Sequence, residues 1–108
     1  MGVIGYFTLI NLEYNRLESL PESFGNLNKL KDLNLMYNRL SSLPKSFGNL
    51  FNLRALNISN NRLSSIPPPI KSLPNLRALD INSNKSINHR DLNKLKFKKY
   101  QWRFSLMN

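Results

Sequence analysis

Asn15, Asn38, Asn61 and Asn84 stand 23 residues apart, and the columns around them repeat with the same period. Three residues before each lie Leu12, Leu35, Ile58 and Ile81; five before, Ile10, Leu33, Leu56 and Leu79; eight before, Phe7, Leu30, Leu53 and Leu76. After them come Leu17, Leu40 and Leu63, then Leu20-Pro21, Leu43-Pro44 and Ile66-Pro67. Phe24, Phe47 and Ile70 follow, and Leu27, Leu50 and Leu73 close each unit. A unit of this length cannot bury its own apolar stripe, so successive units must stack and share one core. The composition suits that: 108 residues, 41% hydrophobic and 20% charged, make one small folded domain rather than a disordered chain.

Each column has a physical reading. The alternation in Leu33-Asn34-Leu35 predicts a short strand with one buried face, and the same pattern places the first strand at about residues 8–13. Asparagine then recurs where a side-chain amide can satisfy backbone groups left unpaired by a turn inside the stack. Leu-Pro forces an extended return, because proline fixes φ and lacks an N–H. Pro67-Pro68-Pro69 predicts an especially stiff, polyproline-like return in the third unit.

The run Leu30-Lys31-Asp32-Leu33-Asn34-Leu35-Met36-Tyr37-Asn38-Arg39-Leu40, continued by Leu43-Pro44 and Phe47-Gly48-Asn49-Leu50, resembles the leucine-rich repeat. The Leu-Pro-x-x-Phe-Gly-x-Leu segment is similar to the 23-residue subclass of Ras-group-like and bacterial repeat proteins, and the likeness covers roughly residues 4–85. The resemblance implies an α/β solenoid: a right-handed superhelix with a concave parallel sheet, here of about four strands plus a divergent fifth. Loops, 3₁₀ turns or short helices would line the convex side. It names no ligand.

Both ends depart from the pattern. Residues 1–7 read as a partial first unit, 8–85 as regular repeats and 86–108 as a divergent capping unit. Without a polar cap, the first strand would expose apolar surface and unpaired backbone. Either Met1–Phe7 folds over that edge, or the edge self-associates with a second copy. Toward the other end, Trp102 and Phe104 fall one period past Leu79 and Ile81, within an alternation expected of a half-buried strand. Asp91–Lys99 before it predicts a short helix.

Residues flanking the buried strand leucines should face the concave surface in columns about 4.7–4.9 Å apart. These columns are Leu9, Asp32, Ala55, Ala78; Asn11, Asn34, Asn57, Asp80; and Glu13, Met36, Ser59, Asn82, with Tyr14, Tyr37, Asn60, Ser83 at the strand exit. Lys31, Arg54, Arg77 precede the strands and Arg16, Arg39, Arg62, Lys85 follow them, so like charges stack and an acidic partner would relieve their repulsion. The expected function is a non-catalytic protein-interaction module. Its partner-binding residues would be Asn11, Glu13, Tyr14, Asp32, Asn34, Met36, Tyr37, Arg39, Asn57, Ser59, Arg62 and Asp80, with Met36 and Tyr37 as apolar anchors and an acidic protein or peptide as partner.

The alternative reading lies in the charge. Residues 85–108 carry +6 of the formal +10, and Lys96-Phe97-Lys98-Lys99-Tyr100-Gln101-Trp102-Arg103-Phe104 interleaves cations with aromatics. Such a segment can grip phosphates and stack bases, or lie on an anionic surface. Catalysis is not expected. Cysteine is absent, His89 is alone, no phosphate loop exists, and His89 beside Ser86 and Asp91 lacks a nucleophile elbow. No metal site or cofactor is expected either. The sequons at Asn57 and Asn84 fall on framework positions. With neither a signal peptide nor a membrane-spanning run in the sequence, a cytoplasmic protein without membrane insertion is expected.

Overall fold

In a computed structural model, which describes residues 7–84, Ile87 and Arg103–Ser105, the repeat becomes a stack of rungs. Each rung contributes one three-residue strand: β1 Leu9–Asn11, β2 Asp32–Asn34, β3 Ala55–Asn57, β4 Ala78–Asp80 and β5 Arg103–Ser105. They form one parallel sheet in chain order, and from β1 to β4 every pairing joins residues 23 apart, as in Leu33↔Leu56 and Leu56↔Leu79. The ladder outruns the strands at both ends. Arg54 N–H donates to Lys31 C=O before β3, and Tyr37 N–H donates to Ser59 C=O after β2.

β5 pairs Leu79 with Phe104 rather than with Trp102, so the last unit is two residues longer than the period predicts. A shift of two preserves the alternation of faces, which is why the sequence pattern fits both registers. The expected cap in 1–7 lies outside the described residues apart from Phe7, as do the Asp91–Lys99 helix and Trp102.

The return segments are five-residue 3₁₀ helices, Glu22–Asn26, Lys45–Asn49 and Pro68–Ser72, each entered from a proline. Pro21, Pro44 and Pro67 accept the first helical bond, from Phe24, Phe47 and Ile70 N–H at 2.9–3.0 Å. Pro68 and Pro69 correct the polyproline expectation, because only Pro67 is outside the helix (φ −58°, ψ 128°) and the next two begin its first turn. Proline's φ serves both conformations, and the first helical residues need no N–H.

The core runs along the stack between strands and 3₁₀ helices. Leu33, Leu35, Leu56, Ile58, Leu79 and Ile81 meet Phe47, Leu50, Ile70 and Leu73 there, all buried. Rungs approach closely on the return side: any side chain at Gly25 would collide with the Ser46 carbonyl of the next rung. Ser46 fastens the same seam, its hydroxyl donating to Glu22 C=O at 2.6 Å.

The asparagine column occupies the turn after each strand. Asn61 donates to Leu35, Ile58 and Ser59 C=O at 3.0–3.2 Å and accepts from Leu40 N–H at 2.9 Å. Asn38 and Asn84 repeat the scheme one rung to either side. Leu35 C=O accepts from both Asn38 and Asn61, and Ile58 C=O from both Asn61 and Asn84, so each amide bridges two rungs.

Candidate functional site

The residue before each of these asparagines is held in the left-handed region: Tyr14, Tyr37, Asn60 and Ser83 have φ of 55–57°. Asparagine tolerates that conformation; a tyrosine there is strained by roughly 1–2 kcal/mol. The strain persists because the neighbouring asparagine amide and the inter-rung bonds, such as Tyr14 N–H to Met36 C=O at 3.0 Å, over-determine the turn. Consequently the two tyrosines project from equivalent points of adjacent rungs and stack, with centroids 4.5 Å apart and planes within 8°. Both remain open to solvent, Tyr14 at 65% and Tyr37 at 42%. The Tyr14 phenol is pushed above its ordinary pKa, by desolvation first and then by Tyr37 and Glu13.

Beside the stack lies an open hollow of about 350 Å³, lined by Tyr14, Arg16, Tyr37, Asn38, Arg39 and Asn60. Arg16, itself at φ 55°, Asn38 and Asn60 are the lining residues absent from the expected contact set, Asn38 being expected only as part of the turn framework. Arg16 was legible as a member of a basic column. Nothing in the residue types Tyr14 and Tyr37 signals the backbone that aims them.

The strand face proper is more self-satisfied than the sequence suggests. Asn11, Asn34, Asn57 and Asp80 each accept, through a side-chain oxygen, from the backbone N–H two residues on. Glu13 accepts from Asn34 Nδ2 at 3.1 Å, and Asn57 Nδ2 approaches Met36 Sδ at 3.4 Å. Asp32, Ala55 and Ala78, half-buried, lie side by side in the register. Ser59 corrects an expectation: it is 4% exposed, its hydroxyl donating to Asn57 Oδ1 at 2.7 Å, so it offers a partner almost no surface. A short side chain in a column with Met36 and Asn82 is shaded by its longer neighbours.

Six cations border this face, Lys31, Arg54 and Arg77 on the entry side of the strands and Arg16, Arg39 and Arg62 on the exit side. Within it lie three carboxylates, Glu13, Asp32 and Asp80. Among the described residues, no group of three histidine, aspartate or glutamate side chains converges as metal ligands would, and no helix is long and apolar enough to cross a membrane.

Comparison with known proteins decides the family. Leucine Rich Repeat matches residues 6–27 and 29–50, and Leucine Rich repeats (2 copies) matches 51–96. The chain belongs to the leucine-rich repeat family. A solved leucine-rich repeat protein of Leptospira interrogans is 33% identical with a TM-score of 0.74, over 82% of this chain and 22% of that one. This leucine-rich repeat chain thus spans about a fifth of that relative's length. No curated protein matches it. Leucine-rich repeat domains generally mediate protein–protein interaction and are generally not enzymes.

Proposed function

We propose that this leucine-rich repeat domain binds an acidic segment of a partner protein across its strand face, between the two basic rims. The observation that carries this reading is the charge arrangement. Three cations stacked on each side repel along their own columns, and a row of carboxylates laid between them relieves both repulsions. Tyr14, Tyr37, Met36, Asn34 and Asn57 supply contact area inside the rims, while Asp32 and Asp80 set where cationic groups of the partner can sit. The basic segment 96–104, on which the nucleic-acid alternative rests, lies outside the described side chains. Self-association through the β1 edge stays a proposal of the same kind, resting on Phe7 and on Leu9, which is 64% exposed.

Charge reversal separates the face from the rest of the surface. Arg54→Glu with Arg62→Glu should weaken binding of a fluorescent glutamate-rich peptide about tenfold or more, the equivalent of about 1.4 kcal/mol, and flatten its salt dependence. Lys45→Glu with Lys71→Glu, on the exposed return side, should change affinity less than about twofold under the same screening. Equal losses from the two pairs would contradict the strand face and leave only net charge. Tighter binding of an oligonucleotide of matched charge would favour the alternative.

A further inference from the structure

We infer that the hollow beside the Tyr14–Tyr37 stack is a subsite for one aromatic side chain of the partner, with a carboxylate adjoining that ring. The inference rests on the proposed strand-face function and says which residue types the partner must present there.

Three observations converge. First, the strand-exit column narrows from a phenol at Tyr37 to an amide at Asn60, and the hollow runs across three rungs past that step, from Tyr14 and Arg16 to Asn60. Rungs repeat at the spacing of parallel strands, about 4.8 Å, and the two rings already stack at 4.5 Å. A third flat group placed over Asn60 would continue the stack in register. Tyr37, still 42% exposed with Tyr14 on one side, has surface left for it.

Second, the rings are pre-ordered. Their backbones are fixed in the left-handed region by Tyr14 N–H to Met36 C=O and Tyr37 N–H to Ser59 C=O. An aromatic guest therefore meets an aromatic surface whose conformational freedom is already lost, which favours affinity.

Third, the polar groups divide into used and unused. Asn38, buried at the floor, has its amide committed to backbone groups on both sides. The side chains of Arg16, Arg39 and Asn60 make no hydrogen bond to another described residue. Two guanidinium groups and one amide around an aromatic wall match a ring flanked by a carboxylate.

The test uses two labelled peptides of identical charge, glutamates around a central tryptophan or a central leucine, read by fluorescence anisotropy against the full chain. The tryptophan peptide should bind about threefold to tenfold more tightly. Tyr37→Asn should abolish that preference without lowering the unfolding midpoint, since Asn60 adopts the same φ at the equivalent position. Arg39→Gln should weaken the tryptophan peptide by up to about fivefold, as loss of a solvent-exposed ion pair would. Equal binding of both peptides would overturn the subsite and leave the strand-face function standing. Failure of both to bind would overturn the two together. A preference that survives in Tyr37→Asn would place the aromatic guest elsewhere, and tighter binding of an oligothymidylate of equal charge would replace the protein partner with nucleic acid.

Discussion

Asn61→Ala should lower the stability of the domain by ~3 kcal/mol, whereas Asn15→Ala in the same sequence column should cost less than about 1 kcal/mol. The difference follows from the neighbours. Without the Asn61 amide, Leu40 N–H loses its partner inside the stack, and a buried unsatisfied donor alone costs about 1–3 kcal/mol. The carbonyls suffer less: Leu35 C=O keeps Asn38, Ile58 C=O keeps Asn84, and Ser59 C=O keeps Tyr37 N–H. The Asn15 side chain is exposed at the first turn and, among the described residues, donates only to Leu12 and Glu13 C=O of its own rung. At roughly 4–8 °C per kcal/mol for a domain of this size, the Asn61 variant should melt roughly 12–24 °C lower. Asn61→Asp should be at least as damaging at neutral pH. It keeps the acceptor for Leu40 N–H but turns a second oxygen toward three carbonyls. Its loss should ease on acidification, when the carboxyl can donate again. Equal midpoints for the Asn15 and Asn61 variants would show that the column does not bridge rungs.

Phe47→Ala should destabilise by about 3–5 kcal/mol, the range for deleting a fully buried phenylalanine. Phe47 is 0% exposed at the centre of the return side, with Phe24 stacked on it from the preceding rung at a centroid distance of 6.2 Å. Phe24 itself is half-buried, so Phe24→Ala removes less apolar area and should cost about 1–2 kcal/mol. Against a total of about 5–15 kcal/mol for a typical domain, the Phe47 loss is a large fraction. Urea unfolding of both variants would check the order, and a larger loss at Phe24 would mean that the first rung, not the second, anchors the stack.

The rungs were legible in the sequence wherever one residue type serves one physical purpose. Leu33, Leu56 and Leu79 mark strands because burial on one face demands alternation, and Asn38, Asn61 and Asn84 mark turns because few other side chains can donate and accept at once. What stayed illegible had two compatible solutions. Pro68 and Pro69 suit a polyproline return and a 3₁₀ turn equally, and Phe104 keeps its face under a shift of two. The candidate site mixes both situations. The basic columns and Met36 could be placed from spacing alone. The left-handed backbone of Tyr14 and Tyr37 could not, since tyrosine has no preference for it and the constraint comes from the following asparagine and the adjacent rung. Ser59 is nearly buried where its column predicted an open position, because exposure depends on the size of its column neighbours and not on its own polarity.

Residues 23 apart in sequence are neighbours in space, rung upon rung, and this alone creates the face and its rims. Nuclear Overhauser contacts in a methyl-labelled sample measure that proximity directly. Cross-peaks should join Leu33 to Leu56 and Leu56 to Leu79, together with Ile58 to Ile81. Cross-peaks confined to residues three or four apart, as within isolated helices, would contradict it.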